Sequence, residues 1–105
     1  MEQRRTRRFT LQLPLSITRS GAERVTVSGL TKNISSTGVL FTAEREQELG
    51  GSIEYVIVLN HAGTQPVSLR CVGKVLRAER LRETDESPGY QVAATLERYE
   101  FVRDR

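Results

Sequence analysis

The chain has 105 residues, of which 37% are hydrophobic and 6% aromatic, with no tryptophan and a formal net charge of +3. This length predicts a single domain with a modest aliphatic core. The longest apolar run, residues 55–59, is far too short to span a membrane, and no apolar stretch follows the charged N-terminus as it would in a signal peptide. A single cysteine excludes an internal disulfide framework and favours a reducing, cytoplasmic setting.

The excess positive charge is concentrated at the N-terminus. Residues 1–8 contain four arginines and one glutamate, which leaves 12 basic and 12 acidic residues in the rest of the chain. A nucleic-acid-binding domain typically spreads positive charge over one face. A short cationic segment on an electrically balanced body instead predicts a compact anionic ligand. We therefore interpret residues 1–8 as a flexible Arg-rich ligand-binding arm and residues 9–105 as the folded domain.

Alternation of apolar and polar residues predicts six strands. Pro14 places the first strand at an edge or a bulge, and Gly29 in the second indicates a bulge or a close backbone approach. The tail at residues 97–105 predicts a short helix or a frayed end. An all-β, six-stranded antiparallel barrel is the favoured fold, because closure hides the edges that a small open sheet would expose. The predicted strands cover residues 9–18, 24–32, 39–42, 52–60, 67–80 and 90–96.

Residue types suited to catalysis are scarce. His61 is the only histidine and lies in a predicted hairpin turn, while Cys71 falls on the inward face of the fifth strand, where a buried and inert thiol is expected. No acidic pair is spaced for acid–base chemistry, and no His or Cys cluster has metal-binding spacing. The sequence therefore predicts a protein that is not an enzyme and that uses no metal or cofactor.

The hexapeptide NISSTG, residues 33–38, places an amide, three hydroxyls and a glycine between two strands. By itself this stretch is explained by a turn, with Asn33 capping the backbone and Gly38 supplying a positive φ. Two motifs that follow one another along the chain change that interpretation. Arg4 and Arg8 form R-x-x-x-R ahead of an alternating strand, and about 25 residues later NISSTG fits [D/N]-x-S-x-x-G.

These motifs resemble those of the PilZ domain, a bacterial receptor module for the second messenger cyclic di-GMP. The GKVLR stretch at residues 73–77 resembles the G-x-V-x-R strand of the family, and GYQV at 89–92 resembles its last strand. The likeness covers nearly the whole chain. It implies a six-stranded barrel, a cytoplasmic signalling role and a downstream partner protein or covalently adjacent domain.

The resemblance also implies which residues bind the dinucleotide. Guanidinium groups pair bidentately with phosphate oxygens and match the O6/N7 edge of guanine, so arginine suits both parts of this ligand. Asn33 replaces the more common Asp of the motif and offers one acceptor where a carboxylate offers two, so weaker binding is expected. The candidate ligand-binding residues are Arg4, Arg5, Arg8, Asn33, Ser35 and Gly38.

Two other functions compete with this hypothesis. The first is a PilZ-like protein-interaction module that binds no nucleotide and contacts a partner through strand faces and the tail that contains Phe101. The second is a small oligonucleotide-binding barrel, which normally stacks bases on aromatic side chains of its binding strands. The three tyrosines, Tyr55, Tyr90 and Tyr99, are widely scattered and argue against the second alternative.

Overall fold

The computed structural model describes residues 12–59, 67–81 and 89–103, and all of its regular structure is β-strand. This part of the chain contains no helix with the length and hydropathy needed to cross a membrane. The strands are β1 (Pro14–Ser20), β2 (Glu23–Ile34), β3 (Gly38–Ala43), β4 (Ser52–Val58), β5 (Val67–Arg80), β6 (Tyr90–Thr95) and β7 (Arg98–Arg103).

The strands form one antiparallel sheet that closes into a barrel. The order is β4-β1-β2-β3-β6-β5, and pairing of β4 with β5 completes the circle. This arrangement confirms the predicted six-stranded barrel. The predicted first strand began at residue 9, whereas β1 begins at Pro14, and residues 9–11 lie outside the described part of the chain, as do His61 and its predicted turn.

Alternate residues of β1 to β6 point into a largely aliphatic core, as the sequence predicted for β4 and β5. Ile53, Tyr55 and Ile57 are buried on β4, and Cys71 on β5 has no exposed surface. The Tyr55 ring stacks on Phe41 with centroids 5.8 Å apart, and its hydroxyl donates to the Thr95 carbonyl at 2.9 Å. Burial raises the pKa of the Cys71 thiol to about 12, which supports the prediction of an inert thiol.

The strand pairing shifts register at three places, which lie at residue 18 of β1, residue 32 of β2 and residue 76 of β5. An inserted residue reverses the in–out alternation beyond it. Gly29 is not at a bulge. A Cβ at Gly29 would clash with the Thr42 carbonyl of β3. Of the two predictions for Gly29, the close backbone approach is therefore confirmed.

The C-terminal segment departs from the prediction. Residues 98–103, expected as a short helix or frayed end, form the seventh strand, β7. β6 covers β5 only from Val75 to Arg80, so the earlier residues of β5 keep an open edge. β7 follows β6 after two residues and pairs along that edge, with Arg98 opposite Val72 and Arg103 opposite Val67. Residues 98–103 form a strand because this edge of β5 offers them hydrogen-bonding partners. Local sequence cannot reveal such an edge.

Candidate functional site

The NISSTG segment forms the tight connection between β2 and β3, and Ser35 organises it. The Ser35 N–H donates to the Gly38 carbonyl at 2.9 Å, and Ser35 Oγ donates to the same carbonyl at 3.2 Å. Ser35 Oγ also accepts from the N–H groups of Gly38 at 3.1 Å and Thr37 at 3.3 Å. Ser35 therefore holds the turn through its own hydrogen bonds.

The structure explains the glycine at position 38 differently from the sequence-based prediction. The expected positive φ is wrong, since among the described residues only Gly21 and Gly50 adopt that conformation. Instead, a Cβ on Gly38 would lie 3.0 Å from the Ala94 carbonyl oxygen of β6. Gly38 therefore allows β3 to start in close contact with β6, directly after the turn.

Asn33 is turned to the outer face of the barrel by the bulge in β2. Thr31 pairs with the buried Phe41 and faces the core, Lys32 is the inserted residue, and Asn33 pairs with Leu40 on the outside. Without the inserted residue, simple alternation would have pointed Asn33 inward. Its half-buried side-chain amide makes no hydrogen bond within residues 12–59, 67–81 and 89–103.

A row of outward-facing residues extends from Asn33 across three neighbouring strands. Asn33 pairs with Leu40, Leu40 with Ala93, and Ala93 with Arg77. Adjacent strands are about 4.8 Å apart, so the row spans about 14 Å. Leu40 and Ala93 lie between Asn33 and Arg77, so the middle of the row is apolar and its two ends are polar.

Two basic residues, Lys32 beside this row and Arg77 at its end, were not among the candidate ligand-binding residues. Lys32 Nζ donates to Gln91 Oε1 at 3.0 Å and lies next to Asn33. Arg77 belongs to the GKVLR motif, but alternation from Val75 would have pointed it inward. The bulge at Leu76 sends it outward instead. The motif was the available signal for Arg77, and the strand register was needed to place it.

The described chain begins near the end of β2 that carries Asn33. The Leu13 N–H donates to Thr31 Oγ1 at 2.8 Å, and the Thr31 N–H donates to the Leu13 carbonyl at 2.9 Å. Thr31 is completely buried, so this double connection is fixed in the barrel wall. Leu13, at the start of the described chain, is therefore bonded to a residue of β2 that lies two positions before Asn33. The predicted ligand-binding residues Arg4, Arg5 and Arg8 lie outside the described part of the chain.

The described candidate residues, Asn33, Ser35 and Gly38, lie at and next to the connection between β2 and β3. Three surface cavities of about 600, 430 and 230 Å³ lie over other parts of the barrel, and none of the three is lined by Asn33, Ser35 or Gly38. The largest lies where β7 meets β4 and β5. Within the described residues, no group of three or more His, Cys, Asp or Glu side chains could hold a metal ion.

Comparison with known proteins places these features in a family. A family model described as "PilZ domain" matches residues 2–100, nearly the whole chain. The match therefore covers both the N-terminal arginines and the β2–β3 connection. Comparisons with curated proteins and with solved structures gave no significant match.

Proposed function

Because this chain belongs to the PilZ domain family, we propose that it is a receptor module for cyclic di-GMP. The dinucleotide binds between the arginines of residues 1–8 and the outer-face row that begins at Asn33. Binding orders the N-terminal arm over the barrel and so changes the surface that a partner meets. The chain acts by binding rather than by catalysis.

One observation carries this proposal: Leu13 is fixed beside Thr31, two residues from Asn33. An extended chain advances at most about 3.5 Å per residue, so the five residues from Leu13 back to Arg8 can span about 17 Å. Asn33 lies about 7 Å along β2 from Thr31. Arg8 is therefore within reach of Asn33, and Arg4 can extend across the outer-face row.

The chemistry of the outer face fits the two parts of the ligand. A guanine can lie on Leu40 and Ala93, with the Asn33 amide at its polar edge. Lys32 and Arg77 supply positive charge at either side, and the arginines of the arm pair with the phosphates. Since the arginines of the arm repel one another, an anionic ligand that neutralises them favours the arrangement in which the arm lies over the barrel.

Calorimetric titration of two arginine variants tests the proposal. Wild-type protein should bind cyclic di-GMP with a micromolar or lower Kd, and Arg8→Ala should weaken binding tenfold or more, which corresponds to about 1.4 kcal/mol. Arg24→Ala is the matched control, because this exposed arginine lies at the opposite end of β2 and should leave the Kd unchanged. Equal affinities for wild type and Arg8→Ala would refute the role of the arm.

A protein-interaction module without nucleotide binding is the second candidate, and the exposed aromatic residues of β7 favour it. Tyr99 and Phe101 are 58% and 65% exposed. This candidate predicts no heat and no chemical-shift change with cyclic di-GMP. Oligonucleotide binding has less support: Tyr55 is fully buried and cannot stack on a base.

A further inference from the structure

One edge of β7 has no partner within the described part of the chain. Among the described strands, β7 pairs with β5 alone. β3 is the neighbour of β6 on the other side. Its first residue, Gly38, pairs with Thr95 at the end of β6, so β3 does not extend alongside β7. The N–H and C=O groups along this edge of β7 are therefore open to pairing with an added strand.

The same strand carries a small exposed aromatic cluster. Tyr99 and Phe101 pack edge-to-face with ring centroids 6.3 Å apart. They lie opposite Cys71 and Leu69 of β5, which places them on the core side of the sheet, yet each is more than half exposed. Two of the six aromatic residues of the chain are thus exposed beside an open strand edge. Both features are suited to a partner strand with apolar residues on the same face.

We propose that the partner is a second copy of this chain, and that two β7 strands pair antiparallel about a two-fold axis at Phe101. In this register the two Phe101 side chains are opposite each other, and Tyr99 is opposite Arg103 of the second copy. Glu100 is opposite Val102 of the second copy. The register brings together one aromatic pair and two cation–π pairs, and it places no like charges opposite each other.

The acidic charge of β7 lies on its other face. Glu100 Oε2 lies 3.7 Å from Arg70 Nη1 of β5, so its charge is directed toward the outer face and away from the aromatic cluster. Each copy supplies the same open edge and the same aromatic pair, as a two-fold interface requires. This inference does not depend on nucleotide binding.

Sedimentation velocity without dinucleotide tests the proposal, from about 10 µM to about 1 mM protein. The wild-type chain, 11.9 kDa as a monomer, should shift toward a dimer as its concentration rises. Phe101→Lys places two like charges at the two-fold axis and should raise the dimer dissociation constant at least about tenfold. Tyr99→Lys should act in the same direction. Leu49→Lys is the control, because Leu49 is 63% exposed and lies in the loop before β4.

The outcomes separate this proposal from its rivals. A wild-type chain that stays monomeric at the highest concentration would overturn it. A dimer that Phe101→Lys and Tyr99→Lys leave intact would also overturn it, since another surface would then form the contact. Circular dichroism of each variant checks that the barrel is folded. Because no ligand is present, failure here leaves the proposed nucleotide binding unaffected.

Discussion

The β2–β3 turn and strand β7 lie at the same end of the barrel but are built in different ways. The Leu96 N–H donates to the Thr37 carbonyl at 2.9 Å and so joins the turn to the start of β7. In the turn, one hydroxyl, that of Ser35, satisfies groups within three residues of itself. β7 instead depends on β5, about 30 positions earlier in the chain.

This contrast shows which features local sequence can specify. The turn has its own signature, because serine and glycine at those positions close a short connection whatever surrounds it. A strand at the edge of a sheet is stabilised by its neighbour, so its own residues are compatible with several structures. In the two proposals made above, the polar turn holds the ligand-binding surface in place and the strand edge meets another chain.

The largest expected effect comes from substitution of Gly73, which packs against the point where β6 leads into β7. A Cβ on Gly73 of β5 would clash with the Thr95 carbonyl, where β6 leads into β7. Gly73→Ala should therefore lower the free energy of unfolding by about 3 kcal/mol. Denaturant unfolding measures this loss. Gly21→Asn is the control, because Gly21 has a φ of 62° and no neighbour near its Cβ position, so asparagine should change stability by less than about 0.5 kcal/mol.

Stability should also fall at high pH. Burial raises the pKa of Cys71 to about 12, and burial, with Cys71 and Glu97 nearby, raises the pKa of Tyr55 as well. Both groups stay neutral in the folded barrel but ionise in the unfolded chain from about pH 9 upward. Their contribution is complete below that pH and is lost as the pH rises toward 12, by up to about 1.4 kcal/mol per pH unit for each group.

Urea unfolding of wild type and Cys71→Ala at several pH values between 7 and 11 checks this prediction. The variant has one ionisable group fewer, so its unfolding free energy should fall less steeply above pH 9. Parallel pH profiles for the two proteins would show that the thiol does not contribute.

Ser35 should matter for the turn itself. Ser35→Ala removes the hydroxyl that two N–H groups and one carbonyl share, and it should cost about 1–2 kcal/mol of unfolding free energy. Thr37→Ala removes only a 3.4 Å hydroxyl contact and should cost less than about 0.5 kcal/mol. Thermal unfolding of both variants makes the comparison. Equal stabilities would mean that the turn does not depend on the Ser35 hydroxyl.

The smallest expected effect concerns ligand affinity. Asn33→Asp provides a second acceptor for the N–H groups of guanine and should tighten binding of cyclic di-GMP about threefold or more. Because the Asn33 side chain makes no hydrogen bond within the described residues, the folded barrel should tolerate the change. Calorimetry measures the change in Kd. Unchanged or weaker binding would indicate that Asn33 does not meet a guanine edge.

Much of the fold could be predicted because alternation marks buried strands directly. Ile53, Tyr55 and Ile57 follow a strict period of two, and β4 is where the sequence placed it. The bulges could not be predicted, since one inserted residue changes the direction of every later side chain without changing composition. Asn33 was therefore identified by its motif, whereas the outward direction of Arg77 was not foreseen. β7 was missed because its partner edge exists only in the assembled sheet.

Amide chemical shifts during titration of the wild-type chain with cyclic di-GMP test the central claim most directly. We predict saturable changes centred on Asn33, Leu40, Ala93 and Arg77, together with changes in the arginines of residues 1–8. Changes confined to the opposite end of the barrel, near Arg24, or no change at millimolar dinucleotide, would contradict it.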